Sequence, residues 1–141
     1  MTGFRNTRFI LFILFFLQGC GLFESMSDVI VGQYKVSFGD GVSWRSLSLG
    51  NRELIGPYVY AVGHNEKFIV AKQHPNHELR FEVNTHITKY FIIDITKDNR
   101  QGRGIYGPLE RNQFDSLSAA LNIGAIAFDM NYPEQPNVFA R

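Results

Sequence analysis

The stretch "YVYAVGHNEKFIVAKQ", Tyr58 to Gln73, sets the fold class. Two runs rich in β-branched and aromatic residues flank Gly63-His64-Asn65-Glu66, a connection of hairpin length that contains Gly and Asn. The second run, Phe68 to Ala71, is apolar at successive positions. A strand of that kind is buried on both faces and belongs at the centre of a sheet. "KYFIIDI", Lys89 to Ile95, is almost unbroken β-branched and aromatic sequence and predicts a second buried strand.

Working outward, "VIVGQYKVSF" (Val29 to Phe38) sets Tyr34, Val36 and Phe38 against Gln33, Lys35 and Ser37. That period of two predicts one half-buried strand. "GDG" at Gly39 to Gly41 reads as a turn. "WRSLSL" (Trp44 to Leu49) is a further strand, closed by "GN", and "IGP" (Ile55 to Pro57) breaks the chain again. "HPNH" turns the chain before "ELRFEV", whose Leu79, Phe81 and Val83 share a face of an edge strand or extended loop. "TKDNRQGRG" (Thr96 to Gly104) is a polar turn, and "IYG" a short final strand.

The period then changes. Phe114, Leu117 and Leu121 fall at i, i+3 and i+7, one face of a helix. Pro108 stands before its start and Gly124 just past its end, where they suit entry and stop. The sequence therefore predicts an α+β fold: an antiparallel sheet of about five to seven strands, with one C-terminal helix packed on it. The expected domain covers residues 29–124, with the helix over 109–122. Residues 125–141 form a C-terminal extension in which Ala125 to Asp129 can add a strand.

The 141 residues suffice for one domain, and 45% apolar content suffices for its core. The formal charge of +1 leaves no electrostatic footprint for nucleic acid. One cysteine excludes an internal disulfide framework and a multi-thiolate metal site.

That cysteine is Cys20. Before it come Arg5 and Arg8 and then "FILFILFFL" (Phe9 to Leu17). A basic start and a short apolar run predict an export signal over residues 1–19; a spanning helix needs about 20 apolar residues. The junction "LQGC" resembles a bacterial lipobox: Leu17, Gly19 and Cys20 match, and Gln18 departs where a small residue is commoner. The resemblance implies a diacylglycerol on the Cys20 thiol, with residues 20–28 as a lipid-anchored tether. Without residues 1–19, 12 basic face 13 acidic side chains, so the basic excess belongs to the signal. Gly21 follows the cysteine. By the same resemblance a lipoprotein lacking Asp there goes to the outer membrane, facing the periplasm, in a Gram-negative cell. In other bacteria it sits on the outer face of the plasma membrane.

Candidates for chemistry are few. His74 and His77 lie three apart and could share a metal with Glu78, with His64 and His86 elsewhere. There is no HExxH motif, and Pro75 opposes a helix that would present both rings. A surface turn is the simpler reading, and no metal or cofactor is expected. Asp94 ends an apolar strand and reads as a carboxylate bonding turn amides rather than a catalytic group. Lys97, Arg100 and Arg103 could touch lipid headgroups or a partner, against a solvated hairpin as the default. No G-x-S-x-G elbow is present. The aromatics Trp44, Tyr58, Tyr60, Phe68, Phe81, Tyr90 and Phe91 are core material, and any left exposed would mark a binding face.

"FIVAKQ", "YFIID", "YGPL", Phe114 and "LNI" (Leu121 to Ile123) together resemble a family of small bacterial lipoproteins catalogued as domain of unknown function 3997. The resemblance implies a lipobox and a strand–turn–strand–turn–helix order, and brings no activity with it. The expected function is a lipid-anchored envelope protein, non-catalytic, that binds an envelope partner or serves a structural role. Alternatives are an immunity or inhibitor protein against a periplasmic toxin, or a small envelope hydrolase using His74, His77 and an acid.

Overall fold

The computed structural model describes residues 26–39, 44–77 and 82–132. The expected signal, Leu17, Gly19, Cys20, Glu78, Leu79 and Phe81 lie outside the described residues, as do Asp40 and Gly41 of the first turn.

Two antiparallel sheets carry the fold. The first has four strands in sequence order: β1 (Ser27–Val31), β2 (Tyr34–Phe38), β3 (Arg45–Leu49) and β4 (Arg52–Ile55). The second is built from β5 (Val59–His64), β6 (Phe68–Gln73), β9 (Lys89–Asp94), β10 (Ile105–Leu109) and β11 (Met130–Asn131), in the order β10-β9-β6-β5-β11. β7 (Asn76–His77) and β8 (Glu82–Val83) form a separate two-stranded ribbon. Among the described residues there is one α-helix, α1 (Arg111–Ala120), between β10 and β11.

The Tyr58–Gln73 stretch forms the β5–β6 hairpin, and β6 pairs with β9 inside the larger sheet. Phe68, Ile69, Val70 and Ala71 are all buried, as are Tyr90 to Asp94. Alternate residues serve two cores. Ile69, Ala71, Phe91 and Ile93 face the smaller sheet and meet Ile30, Val36, Leu47, Ile55, Val59 and Val62. Phe68, Val70 and Ile92 face the other way and meet Ile123, with Phe114, Leu117 and Leu121 of the helical face against them. The fold is therefore mainly β, in three layers: sheet, sheet, helix.

The strands are antiparallel and the helix packs on them, as the sequence predicts, but they divide between two sheets rather than forming one. The division starts at Val29 to Phe38, expected as one strand. Gly32 takes φ +57°, a turn conformation open to glycine, and folds the run into the β1–β2 hairpin. β1 begins at Ser27, inside the stretch expected as tether. Arg52 to Ile55, for which no strand was expected, pairs with β3 across the Gly50-Asn51 turn. "IYG" is not the final strand, because Met130 and Asn131 return to pair with Val62 and Ala61. The chain over 125–129, expected to add a strand, instead crosses Gly63, where a Cβ would come 2.0 Å from the Ala127 carbonyl oxygen. Residues 125–132 thus belong to the domain.

The helix is shorter than the expected 109–122. Gln113 Oε1 accepts from the Glu110 N–H (2.8 Å) and so fixes its start. Its stop is Asn122 rather than Gly124. Asn122 sits at φ +53°, while its N–H and that of Ile123 donate back to Ala119 and Ser118. This is a Schellman ending, with Ile123 tucked beneath it.

The polar turn after β9 ties the layers together. Asn99, 1% exposed, donates from Nδ2 to the Tyr34 hydroxyl (2.8 Å) and to the Asp94 carbonyl (2.9 Å). Arg100 reaches Gln33 Oε1 at 3.2 Å. Asp94 accepts from the Thr96 hydroxyl (2.6 Å) and N–H (3.1 Å), with Lys97 at 3.3 Å. Burial opposes ionisation of Asp94, but the Thr96 bonds and the Lys97 ammonium outweigh it and hold the carboxyl below its ordinary value.

Two outcomes follow for stability. Ile69→Ala removes a wholly buried side chain between the sheets and should cost about 2–5 kcal/mol in urea denaturation, whereas Val29→Ala at the exposed edge should stay within about 0.5 kcal/mol. Since the folded Asp94 carboxyl titrates below its unfolded value, its contribution is full above about pH 4 and fades as pH falls through the lower folded value. Asp94→Asn should lower stability at pH 7 and flatten that acid limb of a stability-versus-pH curve; an unchanged limb would show that Asp94 does not contribute.

Candidate functional site

One end of the two-sheet body gathers side chains from both sheets. The Phe38 N–H donates to the Met26 carbonyl (3.0 Å), and the Gly39 N–H to that of Trp44 (3.0 Å). Arg45 Nε crosses to the larger sheet and donates to the Val59 carbonyl (3.1 Å). The His74 N–H donates to the Tyr58 carbonyl (3.2 Å), and His74 Nδ1 bonds the Ile87 carbonyl at 2.8 Å. A carbonyl can only accept, so Nδ1 carries the proton. These links bring Met26, Trp44, Tyr58, His74 and Ile87 to a single rim.

Beneath the rim is a polar and aromatic scaffold. Arg45 is buried, with its guanidinium 5.2 Å from the centre of the Tyr132 ring. Phe38 meets the same ring edge-on at 5.7 Å, and the Tyr132 hydroxyl donates to Asp28 Oδ2 at 3.1 Å. Burial and the Asp28 carboxylate push the Tyr132 hydroxyl well above the ordinary phenol range, so it stays protonated as a donor. His74 stacks on Tyr60 at 4.1 Å, and the Tyr60 and Thr88 hydroxyls bond at 2.8 Å. Tyr58 lies buried against Trp44 (5.7 Å), with its backbone at φ +69°. That region is an outlier for a bulky residue, held here by its neighbours on both sheets.

Above this scaffold, exposed apolar side chains stand among polar ones such as Ser27, Asp28 and His86. The large apolar side chains left exposed among the described residues are Met26 (74%), Val29 (67%), Trp44 (48%) and Ile87 (42%). Three sit on the rim, and Val29 on the adjoining flank of β1. Of the sequence-predicted aromatics, Tyr58, Phe68, Tyr90 and Phe91 are buried and Tyr60 is half-buried, so Trp44 is the exposed one among those described.

The histidines do not converge. His64 and His74 stand at opposite ends of the β5–β6 hairpin, and His86 lies in the turn that follows β8. The side chains of His77 and Glu78 are outside the described residues. Among those described, no three His, Cys, Asp or Glu side chains are grouped as metal ligands. Asp94 is engaged by its own turn, as its place at a strand end predicts. Lys97 bonds the Tyr106 hydroxyl at 2.8 Å as well as Asp94, and Arg103 is exposed. At the far end a shallow pocket of about 230 Å³ lies between Asn65–Phe68 and Asn122–Ile123. Asn65 shapes it by capping its own turn and donating to the Ile123 carbonyl (3.1 Å).

Sequence reasoning missed Arg45, Asn99 and Tyr132. Arg45 did leave a signal: it shares the parity of Leu47 and Leu49, the inward face of β3. Asn99 opens a three-residue 3-10 turn and Tyr132 follows a two-residue strand, both too short for periodicity to mark an inward side chain.

No curated protein and no solved structure matches the chain. A family model does, over residues 35–132, which runs from within β2 through β11 and reaches well before the Phe68 start of the sequence likeness. The chain belongs to the family described as protein of unknown function (DUF3997).

Proposed function

We propose that the protein is a lipid-anchored module of the bacterial cell envelope, attached through Cys20, held outside the cytoplasm, and acting by binding an envelope partner rather than by catalysis. One observation supports this reading above the others. The first described strand begins at Ser27 and lies at an edge of the smaller sheet. Five residues, Gly21 to Ser25, separate Cys20 from Met26, and the six Cα steps across them can span at most about 20 Å. A domain on so short a lead stays beside the bilayer that holds its lipid, where its encounters are with envelope components. Two or three acyl chains, at about 0.8 kcal/mol per buried CH₂, hold it there.

Metabolic labelling with a radioactive fatty acid should mark the wild-type chain and leave Cys20→Ser unmarked; equal labelling of the two would sink the anchor. Isolation of the tagged, lipidated chain from detergent-solubilised membranes should enrich a specific envelope protein, and repeated isolations that enrich nothing over an untagged control would count against the binding role.

A further inference from the structure

We propose that the rim carrying Met26, Trp44 and Ile87 rests on the lipid bilayer, so that the domain is not merely tethered but docked, with one end of the sandwich in the headgroup layer. The inference rests on the Cys20 anchor and adds an orientation to it. The chain joining Cys20 to the fold ends at Met26, itself a rim residue. The lead therefore delivers this end, and not the Asn65 end, to within about 20 Å of the lipid.

The side chains suit that occupant. Met26, Trp44 and Ile87 are exposed apolar groups on three separate segments that all end at this rim. Tryptophan favours the membrane–water interface, where its ring is sheltered and its N–H stays wet. The neighbouring charges have partners within the protein, one buried and two at the surface: Arg45 against Tyr132, Asp28 on the Tyr132 hydroxyl, and Lys89 with Glu110. Contact thus relies on apolar burial and needs no anionic lipid. The anchor supplies the high local concentration that so small a patch lacks alone.

Trp44 is the one tryptophan in the chain, and so a native probe. The lipidated protein is reconstituted into phosphatidylcholine vesicles, isolated by flotation, and read by Trp44 fluorescence. With bromine-labelled phosphatidylcholine the emission should be quenched, and acrylamide should quench it less than in detergent-free Cys20→Ser protein. Met26→Ser/Ile87→Ser, changed only at exposed positions, should still float but lose the lipid quenching, with its circular dichroism unchanged. Protein that floats while Trp44 stays open to acrylamide and blind to bromolipid keeps the anchor and overturns docking. Trp44 shielded from acrylamide yet blind to bromolipid assigns the rim to a protein occupant and also overturns docking. Protein that fails to float overturns the anchor and docking together.

Discussion

β6 and β9 bury side chains on both of their faces, and this two-sided demand organises the molecule. A strand apolar at every position cannot be satisfied by one cover, since any single layer leaves half its side chains in water. Each fully buried aliphatic side chain is worth about 1.5–3 kcal/mol, so leaving one face bare would forfeit a large share of a marginal stability. The β1–β4 sheet answers one face and the helix with residues 121–128 answers the other. The flanking strands can be shorter and more irregular because they do not carry this burden: β10 has a register shift and β11 has two residues.

Three layers must also be held in register, and apolar contact alone is non-directional. Polar groups supply the direction. Asn99 sends its amide from the β9–β10 turn to Tyr34 in the smaller sheet, and Arg45 sends its guanidinium the opposite way to the Val59 carbonyl. Both are almost wholly buried, so each must keep its partners or bear the cost of an unpaired polar group, about 1–3 kcal/mol and more for a charge. A slip between the sheets would break both at once. They lie towards opposite ends of the sandwich, which lets two bonds resist rotation as well as sliding.

How far the sequence discloses this depends on whether the information is local. Phe68 to Ala71 and Lys89 to Ile95 announce double burial by composition, and Phe114, Leu117 and Leu121 announce the buried helical stripe by spacing. What is hidden is the partition into sheets. Val29 to Phe38 keeps its alternation through a reversal, because Gly32 and Gln33 make a tight turn between runs that both read as strand. Arg52 to Ile55 is short and half charged, and becomes a strand only because β3 offers it an edge. Asn122 and Gly124 are both able to adopt a left-handed conformation; the packing of Ile123 decides which one ends the helix. Each of these is a tertiary choice between locally equal options.

The candidate site is hidden for a related reason. Seven aromatics are equal candidates in sequence; Trp44 and Tyr58 each stand directly before a strand, and what separates them is the layer that strand belongs to. Tyr58 precedes β5 in the middle layer and is enclosed, at the cost of a left-handed backbone; Trp44 precedes β3 in the outer layer and shields Tyr58 while remaining half in solvent itself. Exposure here is thus a by-product of layer order: the sheet buried on both faces closes over its own end, and the sheet buried on one face leaves its end open. The smaller sheet is also the one that begins with the residues nearest Cys20. The open end and the N-terminal lead therefore coincide because both belong to the same layer, and a protein attached by that lead presents its most apolar rim on the side from which it is held.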